Sequence, residues 1–413
     1  MNIVNIKQKI TVFCNNVIYW SIIGVPFVVS FSSAAVDTFI GFMVFAFVLR
    51  KILNKDFSII KTPLNFSFAL IIAVSFLSFL NSVDIRASLQ GIVKLLKYGF
   101  LIIIMAGEIK DRKHFKRILG AIFLGLFLAS LDGLYQLVFG VDFFRHKPYD
   151  LIIGLARLKA AFPHTNIFAG YLALVLPVCI PLSLYYFKAW QRFILLIISL
   201  LGAFCLFFNF CRSADLGVWF VLLLMGIIRK DKIVVFLTVL VLIIAPFLLP
   251  GSIKDWAKTT TSMGELLLNK SRFVLYETSF NMIKHHPVIG VGVNTYVLNY
   301  EQYKLHDVSA DSANHRWYAH NSFLQMTAEI GILGLIVFIW LLYLLFSKWF
   351  SFYRKSKDNF LCLCGLGIVM GLIAFLVNGL TETNLYYPKI ATIFWFQIGL
   401  LLGLLHLKNE KER

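Results

Sequence analysis

The chain has 413 residues, of which 59% are hydrophobic and only 15% charged, whereas about a quarter of the residues of a soluble protein carry charge; its mean hydropathy is +0.80. The formal net charge of +18 does not mark a nucleic-acid partner, because the basic residues stand in short clusters between apolar runs and not on one face. A soluble fold is excluded, and the composition points to an all-α integral membrane protein.

A spanning helix needs about 20 mainly apolar residues. In chain order such runs fall near 16–34, 36–53, 65–81, 89–107, 117–139, 167–187, 192–210, 213–228, 232–249, 322–347, 359–379 and 387–407, which makes about twelve spans. Met1 to Asn15 has no cleavage-site pattern after a short apolar core, so the first span is expected to be retained. Short loops rich in Lys and Arg stay cytoplasmic. With the N-terminus inside, every inside segment is basic, from Lys7 and Lys9 through Arg50 and Lys51, Lys110 to Arg117, Lys188 and Arg192, Arg229 to Lys232, and Arg354 to Lys357, to Lys408, Lys411 and Arg413. The expected organisation is therefore spans one to nine in 1–249, one large outer loop in 250–321, and spans ten to twelve with a cytoplasmic C-terminus in 322–413.

Two outer loops exceed short turns, 140–166 and 250–321, and these are expected to hold the function. A loop of about 70 residues is too long to be structureless linker by default. Its segment SRFVLYETSFNMIKHHP has Phe273, Tyr276, Phe280 and Ile283 at helical spacing, and Pro287, Gly290 and Gly292 end that helix. No repeat relates the two halves, and the large loop is not central, both of which argue against a repeat-built transporter or flippase. The six cysteines lie in or beside apolar runs and form neither a disulfide framework nor a zinc spacing.

The long loop carries SRFVLYETSFNMIKHHPVIGVGVNTY and then YAHNSFLQMTAEIGILGLIVF. An arginine before an amphipathic helix, a turn ending in HPVIGVG, and an H-N-x-x-L-Q-x-x-x-E-x-G-x-x-G-L run opening the next span resemble the O-antigen ligase and polymerase superfamily of bacterial envelope glycan enzymes. RLKAAFPHTNIFAGYLALVLP, from Arg157 to Pro177, and CRSADLGVWF, from Cys211 to Phe220, agree with it, although Cys211 stands where a serine is usual. The resemblance covers about 150–345. It implies a GT-C-like helical enzyme of the bacterial inner membrane that transfers a glycan from undecaprenyl diphosphate to an acceptor hydroxyl on the periplasmic face, without metal or other cofactor. A lipid A-core acceptor makes it a ligase, and extension of the glycan on its carrier a polymerase. Carried over by position, the catalytic residues are Arg212, Arg272 and His320.

The chemistry of the residues agrees with that assignment. Breaking a sugar–diphosphate bond places growing negative charge on the leaving group, which a preorganised guanidinium fork holds well. Arg86, Arg145, Arg157, Arg212, Arg272 and Arg316 all fall on the outer side, against the positive-inside trend. Lys94 and Lys97 share a helix face one to two turns below the outer surface, where a charge must snorkel or meet an anion. Arg157, Arg316, Lys94 and Lys97 are therefore the candidates for binding the lipid diphosphate. An acceptor hydroxyl needs a base, and an unperturbed imidazole, titrating near about 6.5, is mostly neutral at pH 7; His320 is the candidate. His285, His286, His306 and His315 match no ligand spacing, and the outer acids form no D-x-D pair, so no metal site is expected. Glu329 and Glu382 are expected to orient neighbours or cap helix ends.

Overall fold

The computed structural model describes residues 3–152, 154–248, 270–305 and 318–411. Each apolar run is a helix: α1 (Ile3–Val28), α2 (Ser33–Asn54), α3 (Asn65–Leu77, continued by a 3-10 turn to Asn81), α4 (Ile85–Glu108), α5 (Arg112–Phe139), α6 (Thr165–Tyr185), α7 (Ala189–Phe207), α8 (Arg212–Arg229) and α9 (Lys232–Leu248). The outer-loop helices α10 (Lys270–His285) and α11 (Tyr296–Tyr303) follow, then α12 (Ser322–Lys355), α13 (Asn359–Asn378) and α14 (Pro388–Lys411). Eight of them, α1, α4 to α7 and α12 to α14, are long and apolar enough to cross a membrane. α3 and α9 are apolar but shorter, while α2 carries Asp37, Arg50 and Lys51, and α8 carries Arg212, Asp215 and Arg229. The chain is a multi-pass membrane protein by these helices. Among the described residues the departures from all-α structure are one antiparallel pair, β1 (Asp150–Ile152) and β2 (Leu155–Arg157), with Asp150 opposite Arg157, and an isolated bridge between Val141 and Pro148.

Side chains tie the loops at each end of the bundle. At one end Arg50 donates to Glu108 at 2.9 Å, Arg112 pairs with Asp358, and Tyr185 donates to Asp231 at 2.9 Å. At the other, Asn81 donates to the Gly290 carbonyl at 2.9 Å and Ser88 to that of Val293 at 3.1 Å. The centre is made by α6, α13 and α14, whose spans are 89%, 83% and 89% buried, whereas α1 and α7 are 33% and 28% buried. α6 packs on α13, α13 on α8, and α14 on α4. α6 and α13 approach closely at Gly371, where a Cβ would fall 2.1 Å from the Leu174 carbonyl oxygen.

α12 is broken at Gly331, whose φ of 72° and ψ of 179° interrupt the helix. Non-helical backbone at membrane depth is tolerated where protein satisfies its polar groups, and the segment after α10 does so. Val291 N donates to Ala328 O at 2.9 Å, Gly292 N to Glu329 O at 3.0 Å, and Ile332 N to Pro287 O at 2.9 Å. Any side chain at Gly331 meets both the positive φ and a Cβ position 2.0 Å from the Val288 oxygen. HPVIGVG and EIG thus form one structural unit.

The loop helix stands where its spacing places it, but its buried stripe is Leu275, Ser279 and Met282, while Phe273 and Phe280 are 56% and 58% exposed. α10 packs on Tyr296, Tyr300 and Tyr303 of α11 together with Ala319 and Ala328. That surface presents a phenol, and the Tyr296 hydroxyl shares a 2.7 Å hydrogen bond with Ser279, so a hydroxyl suits the contact better than another ring. Residues 249–269 and 306–317 of the outer loop, including Arg316, His306 and His315, lie outside the described residues.

Candidate functional site

Three segments far apart in sequence meet at Glu382, in the turn between α13 and α14. Its side chain is 2% exposed. Arg272 Nη2 pairs with Oε1 at 2.8 Å, and His320 Nδ1 lies 3.2 Å from Oε2. A carboxylate is acceptor-only, so the His320 hydrogen belongs on Nδ1 and the lone pair on Nε2. One buried anion therefore fixes a guanidinium and sets the tautomer of an imidazole. Arg272 and His320 are themselves 36% and 29% exposed, which leaves their remaining faces open to a substrate.

The backbone around His320 is built to hold it there. Asn321 caps α12, its Oδ1 accepting from Phe323 N at 2.9 Å and Leu324 N at 3.0 Å, and Ser322 donates from N to Gly379 O at 2.8 Å and from Oγ to Glu382 O at 2.8 Å. His320, one residue before the cap, has a φ of 46°, a left-handed conformation costing roughly 1–2 kcal/mol in a residue with a Cβ. The Tyr276 hydroxyl donates to its carbonyl at 3.4 Å. Burial pushes the Tyr276 hydroxyl above its ordinary pKa although Arg272 acts the other way, so it stays a donor.

Arg212 opens α8 and is exposed. Burial holds the Arg212 guanidinium below its ordinary pKa, and the positive charge of Arg272 acts in the same direction. Two like charges that act on each other repel, and an incoming anion relieves that repulsion. The start of α8 is fastened to the Glu382 turn, since Asn378 Nδ2 donates to Ser213 Oγ at 2.8 Å and Asn384 bonds Asn378. Cys211, in the position where a serine is usual, is buried behind Arg212, and burial, aided by Glu382, raises its thiol pKa. It is a neutral packing group rather than a nucleophile.

The four residues assigned to the lipid diphosphate separate. Lys94 donates to Asn294 Oδ1 at 2.8 Å and lines a largely apolar pocket with Tyr98, Glu329, Phe338 and Trp395 that reaches Leu385 and Tyr386, close in sequence to Glu382. Lys97 turns away from it, pairing with Asp37 of α2 at 3.0 Å, so the two lysines do not act on one cleft. Arg157 donates to Asn209 O at 2.8 Å and Asn166 Oδ1 at 2.6 Å, and so braces the turn that leads into Arg212. Arg316 lies outside the described residues.

Arg272 and His320 are thus brought together by Glu382, a residue that sequence reasoning placed only among orienting groups, while Arg212 stands at the start of a helix fastened to the same turn. Residues 197–339 match the family model described as O-antigen ligase. That match supports the O-antigen ligase and polymerase superfamily. No curated protein matches the chain. The O-antigen ligase match contains Arg212, Arg272, His320 and the broken part of α12, and it ends before Glu382, which reaches the site through the fold of α13 and α14.

Proposed function

We propose that the protein is a metal-independent glycosyltransferase of the O-antigen ligase type, moving a glycan from undecaprenyl diphosphate to a lipid A-core hydroxyl at the periplasmic face of the inner membrane. The observation that carries this reading is the buried Glu382 carboxylate bridging Arg272 and His320 at the outer end of the bundle. In the reaction the acceptor hydroxyl gives its proton to His320 Nε2 as its oxygen attacks the anomeric carbon. The bond from that carbon to the diphosphate oxygen breaks, and its electron pair stays on the diphosphate, where Arg272 and Arg212 meet the growing charge. Direct attack inverts the anomeric configuration. Glu382 holds Nδ1–H and stabilises the imidazolium that forms, as a carboxylate does behind a histidine base.

The pocket beside Lys94 supports a lipid-linked donor, because its largely apolar walls suit the lipid end and Lys94, which shares the lining with Glu329, offers a cation to the diphosphate. The topology of twelve spans with both ends cytoplasmic belongs to the same proposal, resting on the basic inside segments. The deciding experiment gives purified protein an undecaprenyl-diphosphate-linked oligosaccharide, with and without lipid A-core, and weighs the products. Glycan on lipid A-core is the expected result. A longer glycan on the carrier assigns the protein to polymerisation instead, and movement of the carrier across vesicles with no covalent product overturns the enzyme reading.

A further inference from the structure

At the ends of α12 and α14 remote from Glu382, the two helices and the segment leading into α3 line an open cleft of about 510 Å³. Three lysines line it, Lys61, Lys348 and Lys355, above an apolar floor that includes Phe352, Leu402 and Leu405. Lys348 and Lys355 lie seven residues apart, two helical turns on one face, with Ser351 between them.

The charge of this cleft is unbalanced, while that of its neighbours is not. At the same end of the bundle Arg50 pairs with Glu108, Lys51 with Asp56 and Arg112 with Asp358. No residue lining the cleft is acidic, and among the described residues no ion pair includes Lys61, Lys348 or Lys355. Lys348 and Lys355 are exposed, whereas Phe352 and Leu402 beside them are 7% and 0% exposed. Cations at the mouth, apolar side chains beneath, and a position where spans end are what a phospholipid presents in reverse: a phosphate diester over acyl chains. Basic pockets between helices at that depth take anionic headgroups.

We propose that this cleft binds the phosphate diester headgroup of an anionic phospholipid, with the first methylenes of its chains on Phe352, Leu402 and Leu405. The site is separate from the transfer centre, and it holds whichever reaction that centre performs.

The test uses the full chain in detergent with phosphatidylglycerol or phosphatidylcholine added, and reads bound lipid by native mass spectrometry. Retention of phosphatidylglycerol should exceed that of phosphatidylcholine by at least about tenfold, given the contribution of each lysine at an anionic surface. The combined Lys61→Ala, Lys348→Ala and Lys355→Ala variant should bring the two within about twofold, while Lys188→Ala with Arg192→Ala keeps the preference. Where the triple variant does not fold, Lys348→Glu alone reads the same ratio. Equal retention by the wild type, a preference that survives the cleft variants, or displacement of the lipid by inorganic phosphate but not by chloride at matched ionic strength each overturns the assignment, the last in favour of a free-phosphate site.

Discussion

Glu329 and Glu382 are the same residue type, each is 2% exposed, and each lies at the end of the bundle that carries α10 and α11, yet their partners differ in kind. Glu329 accepts from Asn294 N at 2.6 Å, Tyr296 N at 3.4 Å and Gln325 Nε2 at 3.2 Å; it caps α11 from across the break in α12. Glu382 accepts from Arg272 and His320. A buried carboxylate held by backbone amides keeps a fold in place, because those donors have no other use. One held by two ionisable side chains, each partly open to solvent, keeps reactive groups in register. Burial alone does not separate the two carboxylates, but the identity of their donors does.

The comparison is broken most directly by substituting one carboxylate at a time. Glu382→Gln removes the charge and turns one acceptor oxygen into an NH2 donor, so either the guanidinium or the imidazole loses its acceptor, and turnover should fall by at least the roughly 10²-fold typical of a lost general base. Its thermal unfolding in detergent should change little. His320→Ala should match it in turnover, and Arg272→Lys, which keeps the charge but loses the fork, should recover little of what Arg272→Ala loses. A Glu382→Gln enzyme with ordinary turnover would leave Glu382 as structural as Glu329.

The converse effect is expected at Glu329, in stability. Glu329→Ala strands buried amide donors at a cost of about 1–3 kcal/mol, which should appear as a lowered melting temperature with turnover per folded molecule largely kept. Asn321→Ala should cost about 1 kcal/mol, the usual value of a helix cap, and should also slow turnover because the cap follows His320 directly. If Asn321→Ala lowers stability and leaves turnover untouched, the cap does not position the imidazole.

Most of the fold was legible in the sequence. Apolar length placed the helices, and the spacing of the loop segment placed α10. The pairing of HPVIGVG with the broken α12 was not, because backbone hydrogen bonds leave no side-chain pattern; the glycines marked only that the chain turns there. Arg212, Arg272 and His320 came from motif resemblance, and the fold joins Arg272 and His320 through Glu382. Glu382 was seen only as an orienting residue. It stands 62 residues after His320 and 110 after Arg272, in a turn with no motif spacing, and a carboxylate between two spans is as compatible with a helix cap. Lys94 and Lys97 were grouped because a helix face was all the sequence offered, and Asp37 comes from another helix.

That pair gives the smallest expected effect and the sharpest control. Lys94 donates to a neutral amide in a pocket it shares with the buried Glu329, and its ammonium is held in no direct ion pair among the described residues, so an entering anion can meet it. Lys94→Ala should raise the KM for lipid-linked donor by at least about tenfold, the effect of one hydrogen bond to a charged group, with less change in kcat. Lys97 has its counter-ion already. Its carboxylate partner is 58% exposed, and an ion pair so open to solvent contributes about 0–1 kcal/mol. Lys97→Ala should therefore leave donor KM within about twofold of wild type and shift the melting temperature only slightly. Equal effects of the two substitutions on KM would mean that the donor reaches both lysines, displacing Asp37, and that the sequence-based grouping describes the loaded enzyme better than the ion pair does.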